Sequence, residues 1–156
     1  MNIAQISTGF LEVPSKISLN IYTQGCSFKC PGCQNEHLRK FGEGKEINFW
    51  EIENILDEYD MCTWVCWLGG NPTDQPDELE VFNREIKRYG KKICLYTGHR
   101  IEEIQDLIED VDLIIDGQYI ENKGPITNEY TNQRIWIKKF ENWHLIRKWR
   151  DLNKEL

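Results

Sequence analysis

Four short apolar runs, each closing in a polar or glycine-bearing turn, constrain this chain more than any other feature. Ile17-Ser18-Leu19-Asn20-Ile21-Tyr22 alternates apolar and polar residues and leads into a cysteine-bearing stretch. Thr63-Trp64-Val65-Cys66-Trp67-Leu68 is almost wholly apolar and ends in Gly69-Gly70-Asn71-Pro72. Lys92-Ile93-Cys94-Leu95-Tyr96 ends in Thr97-Gly98-His99, and Val111-Asp112-Leu113-Ile114-Ile115 ends in Asp116-Gly117. Runs of this length, covered on both sides, are strands of a buried sheet. Helical spacings fill the gaps. Asn48 and Glu51 have capping-box spacing ahead of Ile52, Ile55, Leu56 and Tyr59, which predicts a helix over 49–59. Pro76 opens a second helix carrying Leu79, Phe82, Ile86 and Tyr89, with Gly90 as its stop. Ile101, Ile104, Leu107 and Ile108 predict a third. Strands alternating with helices imply βαβ units and a parallel sheet, whose ligands bind beyond the carboxyl ends of the strands.

The remaining segments are expected to be peripheral. Residues 1–15 form an irregular or short-strand lead-in, and 41–45 a glycine-broken connector. Residues 118–133 are a polar wrap, and Arg134–Lys138 a last strand. Residues 140–153, with Trp143, Ile146 and Trp149, are expected to form a terminal helix. No repeat or linker divides the chain, so residues 1–156 are expected to be one α/β domain of about five strands with flanking helices.

The net charge of −7 and the lack of a basic run argue against nucleic acid or an anionic membrane as main partner. The start of the chain lacks a signal-peptide pattern, and no apolar run nears the ~20 residues of a membrane span. A cytoplasmic setting with reduced thiols is therefore expected.

Within residues 23–35, Cys26, Cys30 and Cys33 stand at Cys-x3-Cys-x2-Cys spacing, with Gly25, Pro31 and Gly32 between and before them. Three thiolates are one short of a closed four-ligand site. A [4Fe–4S] cluster on three cysteines keeps one iron open for a ligand. Zinc would need a fourth donor, for which His37 is available. Cys62, Cys66 and Cys94 lie in or beside apolar strands and suit a core role, with alternation placing Cys62 and Cys66 on one face. Gly69, Gly70 and Asn71 are candidates for polar ligand contacts, because glycine admits backbone and Asn71 offers an amide. Asp116 is either a ligand acceptor or a turn former with Gly117. His99 falls on the same edge, while His37 and His144 carry no assigned role.

The cysteine spacing after a first strand resembles the radical S-adenosylmethionine superfamily. Gly25-Cys26-x3-Cys30-x-Gly32-Cys33-x-Asn35 is similar to the activating proteins of anaerobic ribonucleoside-triphosphate reductases. So are Gly69-Gly70-Asn71-Pro72, Tyr96-Thr97-Gly98, Asp116-Gly117-Gln118-Tyr119 and Asn132-Gln133-Arg134-Ile135-Trp136. The resemblance implies a partial, open parallel β/α barrel. It implies Cys26, Cys30 and Cys33 as cluster ligands, with S-adenosylmethionine chelated at the open iron. It also implies reductive cleavage to a 5′-deoxyadenosyl radical, which takes hydrogen from a glycine of the reductase. Asn35, Gly69, Gly70, Asn71, Thr97 and Gly98 match positions around that cofactor, and the partners implied are the glycyl-radical reductase subunit and a one-electron donor such as flavodoxin. The family carries an acid where this chain has Asn71, which predicts slightly weaker cofactor binding. Three alternatives remain at this point: an activase of the pyruvate formate-lyase type, a small radical enzyme acting on a free metabolite, and a non-catalytic metal-binding adaptor.

Overall fold

The computed structural model describes residues 1–156. Eight strands form one sheet: β1 (Asn2–Gly9), β2 (Ser18–Thr23), β3 (Lys45–Glu46), β4 (Trp64–Gly69), β5 (Lys92–Thr97), β6 (Leu113–Asp116), β7 (Arg134–Lys139) and β8 (Asn142–Ile146). Their order is β3-β1-β2-β4-β5-β6-β7-β8, so the sheet is open, with β3 and β8 at its edges. Only the centre is parallel, with β2 beside β4, β4 beside β5 and β5 beside β6. β1, β7 and β8 each run antiparallel to their neighbours.

The central strands sit where the apolar runs place them. Between them lie two helices, α1 (Phe49–Glu58) and α2 (Pro76–Arg88), with the expected boundary signals. Asn48 accepts from the Glu51 N–H at 3.1 Å, and Glu51 accepts from the Asn48 N–H at 3.0 Å. Ile52, Leu56, Leu79, Phe82 and Ile86 pack on Leu19, Ile21, Val65, Trp67, Ile93 and Leu95 on one face of the sheet. The opposite face carries Trp64, Cys66, Leu68, Cys94, Leu113 and Ile115, covered by Val13 and Leu152. Burial of these side chains contributes about 1.5–3 kcal/mol each and dominates the stability.

Three expectations are corrected. The strand count is eight rather than five, because the lead-in is the full strand β1, the connector ends in the two-residue strand β3, and residues 140–153 hold β8 rather than a single helix. Phe140 turns the chain at φ 53°, and β8 returns along β7 with Leu145 opposite Trp136 and Trp143 opposite Lys138. Cross-strand aromatic and aliphatic contact outweighs the helical spacing of Trp143, Ile146 and Trp149 there. Only the four-residue α3 (Trp149–Leu152) follows. The expected third helix is two 3-10 turns, Ile101–Glu103 and Gln105–Leu107. Ile101, Ile104 and Leu107 lie three apart, a spacing that a three-residue turn satisfies as well as an α-helix. The strand at 134–138 exists but is antiparallel, since the preceding connection holds no crossover helix.

Cys62 and Cys66 also differ from expectation. Cys62 precedes β4 and belongs to the helix-side core, whereas Cys66 lies on the other face directly opposite Cys94. All three thiols are buried.

Candidate functional site

The parallel strands β2, β4, β5 and β6 end at one edge, and the cysteine loop emerges from the first of them. Its neck is tied by backbone: Gly25 N–H donates to Leu38 O at 2.8 Å and Cys26 N–H to Arg39 O at 3.1 Å. Gln24 Nε2 donates to Lys40 O at 2.8 Å. Within the loop, Cys33 N–H donates to Cys30 O at 3.3 Å, and the Arg39 guanidinium also donates to Cys30 O. Gly25 (φ 99°) and Gly32 (φ 70°) adopt the left-handed backbone that glycine tolerates without cost.

The end of β4 locks onto this neck. Gly70 N–H donates to Thr23 O and Asn71 N–H to Gly25 O, both at 2.8 Å. A Cβ at position 70 would lie 2.0 Å from Gly25 O, and one at 69 would lie 2.6 Å from Thr23 N and O. The paired glycines therefore exist because two backbones meet. Asp74, in the turn beyond, accepts from Ser27 N–H at 2.7 Å and Ser27 Oγ at 3.0 Å.

Cys26, Cys30 and Cys33 are half-buried and unpaired. All three line one cavity of about 140 Å3, together with Asn35, Gly69, Gly70, Thr97 and Gly98. Wider spaces flank it, about 810 Å3 on the Cys30 side and about 370 Å3 on the Cys33 side. The thiols are not already gathered into a preformed metal cage. They are three soft donors on a glycine-hinged loop that opens on a shared cavity, a donor set that fits an iron–sulfur cluster. Burial raises the Cys26 thiol above its ordinary value, and the backbone of Phe28 offsets part of that rise. The zinc alternative loses support, since exposed His37 in the turn Glu36–Leu38 does not line the cavity.

Of the other residues singled out in the sequence, Asn35 donates to Gly69 O at 3.4 Å and faces the cavity. Asn71 does not. It is 1% exposed, and its Oδ1 accepts from Thr97 Oγ1 at 2.9 Å and Gly98 N–H at 3.3 Å, with Thr73 Oγ1 3.2 Å away. Asp116 is fully buried. It accepts from Ile101 N–H at 2.8 Å, Arg134 Nε at 2.9 Å, Trp136 Nε1 at 3.2 Å and Arg100 Nη1 at 3.3 Å. Its carboxylate is consumed in holding the edge together. Gln118, Tyr119 and Gln133 line the cavity and come from segments whose resemblance is visible in the sequence. The contacts of Phe28 and Asp74 have no sequence signal.

A family described as a 4Fe-4S single cluster domain matches residues 17–136. The chain belongs to that family. This 4Fe-4S single cluster domain is 31% identical over 110 residues to a Methanocaldococcus jannaschii protein named as a glycyl-radical enzyme activating enzyme. That match covers 69% of this chain and 44% of the relative. It is 24% identical over 116 residues to the anaerobic ribonucleoside-triphosphate reductase-activating protein of Haemophilus influenzae, covering 67% of this chain and 75% of that one. It is 32% identical over 83 residues to the 7-carboxy-7-deazaguanine synthase of Thermoplasma acidophilum, covering 53% of this chain and 38% of that one. The chain thus spans less than half the length of two of these relatives. The family bears out the expected [4Fe–4S] cluster, and two of these relatives carry the activase names that the resemblance implies. No helix is long and apolar enough to cross a membrane.

Proposed function

We propose that this domain is a radical-generating activase that installs a glycyl radical on an anaerobic ribonucleoside-triphosphate reductase. The observation that carries the reading is the shared cavity, where three thiols meet Asn35, Gly69, Gly70, Thr97 and Gly98 at the carboxyl edge of the parallel strands. A site with three protein ligands and an adjoining cavity suits a cofactor that must bind a second molecule. Bound there, the cluster would supply the single electron that reductive cleavage of S-adenosylmethionine needs.

The chain's own residues hold, orient and shield. Cys26, Cys30 and Cys33 would ligate the cluster. Gly69 and Gly70 bring the end of β4 against the loop's neck, and so place Gly69 O and the Asn35 amide at the cavity wall. Thr97, Gly98, Tyr96 and Tyr119 also line the cavity and would limit water there. The electron donor would be a small one-electron carrier such as a flavodoxin, in the cytoplasm. The reductase is favoured as target because the Haemophilus influenzae relative is matched over 75% of its length, more than either other relative.

Anaerobic reconstitution with iron and sulfide, followed by reductant, S-adenosylmethionine and the reductase, tests the reading. 5′-Deoxyadenosine together with a glycyl-radical resonance is expected. Deoxyadenosine without that resonance would point to another glycyl-radical enzyme or a small-molecule substrate. Absence of deoxyadenosine from fully loaded protein would overturn every enzymatic version and leave the metal-binding adaptor.

A further inference from the structure

The loop between Cys26 and Cys30 is held from one side by Asp74, which binds Ser27. The other side rests on an aromatic contact. The Phe28 ring meets the His99 ring at a centroid distance of 4.8 Å and an interplanar angle of 67°, an edge-to-face arrangement. Gly98 leaves room for it, since a Cβ there would lie 2.4 Å from Phe28 Cδ2. Phe28 is thus seated by Gly98 and His99.

His99 is in turn fixed from below. Its Nδ1 lies 2.9 Å from Thr73 Oγ1 and 3.3 Å from Asn71 Nδ2, and its backbone N–H donates to Thr97 Oγ1 at 3.1 Å. The orientation of the Asn71 amide follows from its neighbours. Gly98 N–H can only donate, so the atom facing it at 3.3 Å is the carbonyl oxygen. The atom facing His99 is therefore the NH2 group, a pure donor. With the Thr73 hydroxyl turned to donate to it as well, His99 Nδ1 accepts, which puts the ring proton of the neutral imidazole on Nε2.

We propose that Asn71 and His99 are positioning residues that act as one neutral pair. The Asn71 amide fixes the His99 ring, and that ring seats Phe28 and so sets the segment joining Cys26 to Cys30. Position 71 then serves the cluster loop from behind the cavity wall rather than touching the bound cofactor. An aspartate at 71 would present an acceptor to His99 Nδ1, and the ring would have to carry its proton on Nδ1 instead. The inference rests on the activase reading only for the purpose of the loop; its geometry can be tested without turnover.

The test uses the full chain, cluster-loaded and unloaded, with His99→Ala, His99→Phe and Asn71→Asp. Ring-nitrogen shifts should show the Nε2–H tautomer in the parent and Nδ1–H in Asn71→Asp. Amide exchange at Ser27 and Cys33, whose N–H groups are bonded to Asp74 and to Cys30 O, should rise about tenfold in His99→Ala with little change in the β4 amides, since only a local opening is released. His99→Phe, which keeps a ring against Phe28, should recover most of that protection. The reduction potential of the loaded cluster should shift in His99→Ala and return toward the parent in His99→Phe. An Nδ1–H tautomer in the parent, or unchanged exchange at Ser27 and Cys33 in His99→Ala, would overturn the proposal. Either result can occur whether or not the protein cleaves S-adenosylmethionine, so the two readings fail separately.

Discussion

The carbonyl oxygen of Gly25 lies 2.0 Å from the point where any residue other than glycine would place a Cβ at position 70. That oxygen also accepts the Asn71 N–H at 2.8 Å, so the two backbones cannot separate without losing the bond that closes the cysteine loop. Gly70→Ala should therefore lower stability by about 1–3 kcal/mol, the usual cost of overpacking. Iron content after reconstitution should fall in parallel, because the displaced carbonyl belongs to the residue just before Cys26. Denaturant titration and iron analysis check both effects. Full cluster loading in Gly70→Ala would show that the close approach is dispensable.

Asp116 should be the most costly polar residue to alter. It is wholly buried beneath Arg134, Arg100, Trp136 and the Ile101 N–H. Bonding to Asp116 and Glu102 holds the Arg134 guanidinium well above its ordinary value. Asp116→Asn removes the charge and leaves a partly buried cation, at a cost of about 3 kcal/mol. Glu102→Gln strips the same arginine of a partner that is 61% exposed, and should cost under about 1 kcal/mol. Urea denaturation at neutral pH separates the two. Comparable losses would mean that burial is not what makes the Asp116 pair strong.

Much of this architecture is legible in the sequence. The four central strands can be read because burial on both faces leaves almost continuous apolar runs, and α1 and α2 because capping residues and periodicity agree. β8 cannot, since Trp143, Ile146 and Trp149 satisfy a helical spacing while Trp136 and Lys138 across the hairpin decide the outcome. The three cysteines are legible as a spacing. The burial of Asn71 is not, because Thr73, Thr97, Gly98 and His99 converge on its side chain only once β4 and β5 lie side by side. Asp116 shows the same limit: Arg134 lies 18 residues downstream, and nothing local announces the pair.

Asp74 offers a way to weaken the cysteine loop without disturbing the core. It accepts two bonds from Ser27, one from the N–H and one from the hydroxyl, at an exposed position. Asp74→Ala should cost no more than about 1–2 kcal/mol of global stability. Loss of cluster on exposure to a chelator should nevertheless quicken several-fold, because Ser27 directly follows Cys26. Asp74→Asn, which keeps an acceptor for Ser27, should fall between the two. Chelator kinetics followed by iron absorbance measure the order, and equal rates in all three proteins would remove Asp74 from the loop's support.

The face of the sheet opposite α1 and α2 should make the protein sensitive to alkali. Burial raises Cys94 and Tyr96 well above their ordinary values, with a smaller contribution from neighbouring Cys66 and Cys94 respectively. In the unfolded chain the two groups ionise near 9.0 and 10.0, so over that range the folded state holds protons that the unfolded state has released. Stability from this source is complete below about pH 9 and declines as pH rises further. The Tyr96 hydroxyl donates to Glu12 O at 2.9 Å, pinning the segment that covers this face. Tyr96→Phe should thus cost about 1 kcal/mol at pH 7 by losing that bond. The same variant should lose stability less steeply than the parent above pH 10, since one titrating group is gone. Adding Cys94→Ala should flatten the decline from pH 9 onward. Urea midpoints measured from pH 7 to about pH 11 give the slopes, and an unchanged slope in the double variant would place the alkaline sensitivity elsewhere.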